Sequence, residues 1–391
     1  MSDFITDLAA ALASGHNANE FFRTSLEAAI NQLLENERTV FLDYEKWDPA
    51  GYNSGNSRNG YYGRTVKTEY GELQLKVPRD RTGEFEQHTV PAYKQSSSYL
   101  EETIIQLYRK GITTREIADL IERMYGHHYS ATTVSNLAKL LDKDVQAFHQ
   151  RQVKPEYVAI YCDATFLHVR RDTVGKEALH MLIGIDAQGY KEVLDYALYP
   201  TESCLNYKEM LLDLKTRGLE QVLLFISDGL VGLPDAVTDV FPKAQHQSCW
   251  THLQRNVSRR VRAKDKAEIT QAVKRIYQAE NRPEAEARLE TFCEAWRKRY
   301  PRVISLFEGK TNLFSFYSFP ESIRRALYTN NLAESLNKRL KRITKAKEQF
   351  PNEDALQRTV CTSFLEYNAQ SEQRKHHGFG SVTYELELLY E

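Results

Sequence analysis

Two apolar runs of strand character each end on an aspartate: Tyr157-Val158-Ala159-Ile160-Tyr161-Cys162-Asp163 and Val222-Leu223-Leu224-Phe225-Ile226-Ser227-Asp228. An unpaired carboxylate on a buried strand is costly, so such an end has to be compensated. In open α/β sheets the carboxyl ends of strands are where ligands sit. A third acid, Glu334, lies on a basic helix within Asn331-Leu332-Ala333-Glu334-Ser335-Leu336-Asn337. Three carboxylates delivered this way can hold two divalent ions roughly 3.5–4 Å apart, an arrangement that clamps the attacking and leaving oxygens of a phosphodiester.

Each acid also has a plainer reading. Asp163 would suit an edge strand facing water, and Asp228 would suit a helix N-cap. Glu334 would suit routine i,i+4 pairing with lysine on a solvated face. On its helix Leu332, Leu336, Leu340 and Ile343 form one apolar stripe, and Glu334 shares the opposite side with Lys338, Lys341 and Lys345.

The chain has 391 residues, 41% of them apolar, enough for two or three domains with real cores. No run approaches the roughly 20 apolar residues needed to cross a bilayer. The start, Met1-Ser2-Asp3-Phe4-Ile5-Thr6-Asp7, lacks a basic-then-apolar signal pattern. A cytoplasmic protein is expected. Its five scattered cysteines form no C-x-x-C pair, and reduced thiols suit that compartment. The net charge is -1, but charge is patterned. Six basic residues fall between Arg255 and Lys266, and six more between Lys338 and Lys347 with no acid among them. Such clusters can contact phosphates, or can simply be solvated helix faces.

Periodicity predicts a helix from Asn17 to about Tyr44, a loop over Gly51–Gly60, and a hairpin of strands Arg64–Glu69 and Glu72–Val77. Helices follow at Tyr99–Lys110, Arg115–Tyr125 (capped by Thr113 or Thr114) and Ala131–Leu141 (capped by Ser130), with a turn over Gly126–Ser130. The three resemble a helix-turn-helix DNA-binding unit, or an ordinary three-helix packing motif. Strands are then expected at Tyr157–Val169, Ala178–Asp186, Lys191–Leu198 and Val222–Ser227. Turns are expected at Asp172–Gly175 and Ala187–Gly189, and helices at about Asn206–Arg217 and Pro234–Val240. Three strands, then helix, strand, helix, is the order of a ribonuclease-H-like fold. Residues Thr251 to Arg299 read as helical and charged, an insertion before the helix of Tyr328 to about Lys347. Cys249-x-x-His252 has the spacing of half a zinc site, but no second pair accompanies it, so packing and a hydrogen bond are the expected structural role.

Taken in order, Asp163-Ala-Thr-Phe-Leu-x-x-Arg170, Ser227-Asp228-Gly-x-x-Gly232, Cys249-x-x-His252 and Asn331-x-x-Glu334-Ser-Leu-Asn337 resemble the Mutator-type DDE transposases of bacterial insertion sequences. Arg58-Asn59-Gly60-Tyr61-Tyr62 and Val77-Pro78-Arg79-Asp80-Arg81 extend the likeness over nearly the whole chain. Ser248 stands where the family often has Arg, and Asn330 where it often has Thr.

The resemblance implies an α/β protein. An N-terminal helical region with a small hairpin (1–95) would bind element ends or dimerise, and a helix-turn-helix-like domain (96–150) would follow. The ribonuclease-H-like catalytic core would occupy 151–250 and 329–391, interrupted by an all-helical insertion at 251–328. It implies Asp163, Asp228 and Glu334 as catalytic ligands of two Mg²⁺ or Mn²⁺ ions, acting on terminal inverted repeats and target DNA. A homodimer on DNA in the bacterial cytoplasm, nucleoid-associated when bound, would be the working form. Arg170, Arg255, Arg259, Lys338, Lys341, Arg342 and Lys345 are the expected DNA contacts. A metal-dependent nuclease that cuts without joining is the nearest alternative, and a DNA-binding regulator with an inert core is a second.

Overall fold

A computed structural model describes residues 2–15, 17–49, 55–90, 98–125, 129–171, 173–345, 347 and 349–391. The expected loop segment 51–54, the turn at 126–128 and Asp172 lie outside the described residues. The chain divides into two compact units between Leu140 and Leu141.

The first unit contains α1 (Ser2–Ala13), α2 (Ala18–Leu42), β1 (Arg58–Thr68), β2 (Gly71–Asp80), α3 (Ser98–Arg109), α4 (Thr114–Tyr125) and α5 (Ala131–Ala138). Asn17 caps α2 by accepting the Asn19 N–H at 3.0 Å. Leu34 of α2 packs on Leu73, Leu75 and Val77, the inward side chains of β2. β1 and β2 pair antiparallel, turning between Thr68 and Gly71. The hairpin is longer than periodicity predicts, because Arg58–Gly60 are strand rather than loop. The cause is tertiary. Arg58 donates to the Tyr44 carbonyl at 2.8 Å, and Arg38 donates to the carbonyls of Gly60 and Arg79, each at 3.0 Å. Thr113 caps α4 in a reciprocal pair with Glu116, and Ser130 caps α5, as their positions predict.

The second unit is a mixed α/β assembly. In chain order it contains α6 (Asp142–Gln150), β3 (Glu156–Arg170), β4 (Val174–Ile185), β5 (Lys191–Tyr199), α7 (Cys204–Thr216), β6 (Gln221–Ser227), α8 (Leu233–Val240) and β7 (Gln245–Ser248). Next come α9 (Trp250–Arg260), α10 (Ala263–Tyr277), α11 (Arg282–Arg297), α12 (Pro301–Ile304), α13 (Glu321–Leu327), α14 (Asn331–Thr344), α15 (Glu353–Ser371) and α16 (Thr383–Glu387). The five strands are ordered β5-β4-β3-β6-β7. β3–β4 and β4–β5 are antiparallel, and β3–β6 and β6–β7 are parallel. Helices cover both faces, so the central strands are apolar on both sides, as buried parallel pairing requires. Cys162 and Phe225 face α7 and α8; Tyr161 and Ile226 face the core shared with α14, α15 and the helices after β7.

Several elements were not expected, among them α1, α6, α13 and β7. α6 follows α5 after a single 3₁₀ turn, and β7 is a strand of polar residues. The helical stretch from Thr251 is three successive helices, organised around Trp250. Its buried ring lies 5.4 Å from Tyr277, 6.1 Å from Phe307 and 5.6 Å from Phe314, and its Nε1 donates to the Leu313 carbonyl at 2.8 Å. Among the described residues no helix is long and apolar enough to cross a membrane.

α6 and α7 are tied to β5 by a buried charge network. Arg217 contacts Asp195 at 3.5 Å and Asp213 at 3.1 Å and donates to the Arg151 and Leu194 carbonyls, while His149 reaches Asp195 at 2.8 Å. Breaking one partner of a buried pair typically costs about 3–5 kcal/mol. We therefore expect Arg217→Ala to lower the urea midpoint by a corresponding amount, and the surface change Lys208→Ala to leave it nearly unchanged. Equal midpoints for the two variants would show that the network contributes little.

Candidate active site

Parallel pairing of β3 with β6 runs from Glu156↔Gln221 to Tyr161↔Ile226. Asp163 and Asp228 each lie two residues beyond that last pair. Carried two residues further, that register brings Asp163 of β3 beside Asp228 at the end of β6, close enough for the charge of Asp228 to act on Asp163. β3 continues past this point only because β4 still pairs with it, Asp163 opposite Met181. β6 stops, and Gly229, with φ of +99°, turns the chain immediately after Asp228.

Asp163 is buried and Asp228 half-buried. Burial, then the charge of Asp228, raises the Asp163 carboxyl to about 7. Glu202, from the turn between β5 and α7, adds to that repulsion; its own carboxyl is raised by burial and by Asp228. Nothing in the local pattern around Glu202 singles it out in the sequence.

α14 lies over this end of β3. Ala333, Leu336 and Leu340 are buried beneath it, with Leu332 and Ile343 half-buried, close to the apolar stripe predicted. One turn after Glu334, Asn337 donates from Nδ2 to Asp163 Oδ2 at 2.6 Å. Glu334 itself is bound by Arg255 of α9, Nη1 to Oε1 at 2.5 Å and Nη2 to Oε2 at 3.0 Å, with His252 Nε2 3.7 Å from Oε1. Burial alone would raise the Glu334 carboxyl. Arg255, with help from His252 and Lys338, outweighs burial and holds the carboxyl below its ordinary range. Burial depresses the His252 imidazole, opposed by Asp228 and Glu334. The three predicted acids thus share one electrostatic neighbourhood. As they stand, however, no three His, Cys, Asp or Glu side chains among the described residues are gathered tightly enough to hold one ion.

Cys249 is a junction between the strands and α14. Its N–H donates to the Ser227 carbonyl at 2.8 Å, and its Sγ accepts the Asn330 N–H at 3.1 Å. Burial pushes its thiol up, so it stays uncharged. Ser227 is held in turn by His246 Nε2 at 3.0 Å, and His246 Nδ1 by Asn312 at 2.6 Å. Of the predicted DNA contacts, Arg255 and Arg259 project from α9. Lys338, Lys341, Arg342 and Lys345 are exposed on or just beyond α14, and Arg170 is exposed at the far end of β3.

The profile of the Mutator transposase family matches residues 2–373. The chain is 45% identical over the full length of both chains to the transposase for insertion sequence element IS905 of Lactococcus lactis subsp. lactis (strain IL1403). It is 44% identical to that for IS1201 of Lactobacillus helveticus, over 94% of this chain and all of the relative. To the transposase for IS256 in transposon Tn4001 of Staphylococcus aureus it is 29% identical, over 86% of this chain and 87% of the relative. With a family match across nearly the whole chain and such identity over full length, this chain belongs to the Mutator family of transposases.

Proposed function

We propose that this protein is a DNA transposase whose second unit is a ribonuclease-H-like core, with residues 251–328 as a helical insertion. It cleaves phosphodiesters at the ends of its element to free 3′-hydroxyls and joins them to target DNA. The observation that carries this reading is the placement of Asp163 beside Asp228 on adjacent parallel strands, with the Glu334 helix laid over them. Two Mg²⁺ or Mn²⁺ ions fit the donor set, because the buried, mutually repelling carboxylates carry negative charge that a divalent cation would neutralise. Asp163 and Asp228 would hold the ions, with Glu334 completing the set.

Bound divalent ions supply charge neutralisation at the phosphate and activation of the attacking oxygen. The protein's own side chains do the rest by positioning. Asn337 fixes the orientation of Asp163, Cys249 ties the Asp228 strand end to the start of α14, and helices on both faces exclude water from the sheet. Cleavage by water and joining by the freed 3′-hydroxyl are both in-line phosphoryl transfers, in which positioning and charge carry the rate. The N-terminal segments of the expected division, 1–95 and 96–150, bind the terminal inverted repeats. A homodimer brings two element ends together in the bacterial cytoplasm.

Asp163→Asn, Asp228→Asn and Glu334→Gln are each expected to abolish cleavage of terminal-repeat DNA and joining of pre-cut ends to a plasmid, while duplex binding is retained. Strand transfer surviving in any one of them with Mg²⁺ present would remove that residue from the site. Cleavage by the parent protein without joining would identify a nuclease instead.

Lys338, Lys341 and Lys345 follow Glu334 at i+4, i+7 and i+11, within about 40° of its azimuth at 100° per residue. A DNA strand cut at this site would run along that row, with its phosphates contacted and its bases unread. The Lys341→Ala/Lys345→Ala double variant should flatten the slope of log affinity against log salt by roughly 1.8, at about 0.9 per lost phosphate contact. An unchanged slope would make these lysines a solvated face.

The acidity of Asp163 gives a pH signature. Its carboxyl rises from 3.8 to about 7 on folding, so the folded protein binds the proton more tightly. The resulting stability is present in full below about pH 4 and is lost as pH climbs through 7, at most roughly 4 kcal/mol. In EDTA, the urea-unfolding free energy should fall between pH 5 and 8 by more in the parent protein than in Asp163→Asn. Mg²⁺ should restore stability above pH 7 in the parent only. Parallel pH profiles for the two proteins would contradict this assignment of charge.

A further inference from the structure

We propose that Arg255 is a latch on Glu334. In the DNA-free protein it holds the carboxylate in a two-point ion pair. On DNA binding it moves to a backbone phosphate in the adjoining pocket and releases Glu334 to the metal site. This rests on the reading of Asp163, Asp228 and Glu334 as metal ligands.

Both Glu334 oxygens face the Arg255 guanidinium, at 2.5 and 3.0 Å. A carboxylate held by such a fork has one lone pair of each oxygen engaged by the guanidinium, so a metal ion would compete with Arg255 for both oxygens. The guanidinium side of the pair is accessible: the Arg255 side chain is 48% exposed and the Glu334 side chain 17%. A partly exposed pair of this kind is screened by salt and yields to a stronger competitor on either side.

A destination for Arg255 lies beside it. α9 and α10 enclose an open cavity of about 390 Å³ lined by Thr251, Arg255, Ser258, Arg259, Lys266 and Thr270, with no carboxylate in its wall. Cations and hydroxyls suit a phosphate oxyanion, and arginine binds phosphate and carboxylate with the same planar fork. One side chain shared between two anions couples their sites. Phosphate in the cavity favours metal at Glu334, and metal at Glu334 favours phosphate by the same factor.

The test uses the full-length protein. Mn²⁺ is titrated without DNA, and free ion is followed by its electron paramagnetic resonance signal. Arg255→Gln should bind Mn²⁺ about tenfold more tightly than the parent, equivalent to ~1.4 kcal/mol. Arg259→Gln removes the same charge from the same cavity without touching Glu334, and should change the affinity less than twofold. Adding Glu334→Gln to Arg255→Gln should cancel the gain. Equal affinities for the parent and Arg255→Gln, or an equal gain in Arg259→Gln, would overturn the latch while leaving the metal site standing. Absence of Mn²⁺ binding in all the proteins would overturn the metal-site reading itself. In EDTA, Arg255→Gln lacks the phosphate contact to which Arg255 moves, so its binding to a short duplex should show a salt slope shallower by about 0.9 than the parent's. A slope equal to the parent's would overturn the transfer to phosphate.

Discussion

Like-charge repulsion between two carboxylates at neighbouring strand ends governs the second unit. Parallel pairing of β3 with β6 brings Asp163 beside Asp228, in a setting dry enough to raise Asp163 to about 7. A sheet tolerates such a pair only if something nearby offsets the charge. Asn337 donates to Asp163, while Arg255 takes up the charge of Glu334. The acids lie where chain direction and register put them, and the helices around them are arranged to manage the electrostatic consequence.

That management depends on polar contacts in the interior. Ser227 precedes Asp228; His246, itself held by Asn312, bonds its hydroxyl, and the Cys249 N–H donates to its carbonyl. Gln247 of β7 donates to the Leu313 carbonyl at 2.9 Å and accepts the Phe316 N–H at 3.1 Å, so a strand of polar residues sits buried without unmet demands. The geometry of the Asp228 strand end thus rests on residues drawn from the far side of the helical insertion. A change at Asn312 would be felt at the acidic cluster through His246 and Ser227.

Much of this architecture was legible in the residues. The four long strands, α7, α8 and the caps of α4 and α5 follow from apolar runs and cap chemistry, which act locally. β7 was not legible, because Gln245-His246-Gln247-Ser248 has neither apolar alternation nor β-branched residues, and its stability comes from partners more than sixty residues away. The early start of β1 was hidden for the same reason, since Arg38 on α2 and the bond from Arg58 to the Tyr44 carbonyl hold it extended. At the site, Asp163 and Asp228 stood out as charges ending apolar runs, whereas Glu334, on the basic face of its helix, was singled out only by the motif around it. Asn337 was visible only as part of a motif, and Glu202 not at all, because an acid in a polar turn carries no such contrast. Arg255 read as a DNA contact; its hold on Glu334 arises from α9 and α14 meeting in space, which spacing along the chain does not encode.

The hydrogen bonds at the junction of α9 and α14 bear on how the protein folds and diversifies. Trp250 N donates to the Tyr328 carbonyl at 3.0 Å, and Asn330 N to Cys249 Sγ at 3.1 Å. The chain therefore leaves the sheet layer and returns to it at a single doorway. A segment whose two ends meet is an excursion that its own helices close, with the entropic cost of closure growing only slowly with length. Such a segment can fold as a local unit, and can lengthen, shorten or be exchanged over evolution, while the strands that present the acids keep their register.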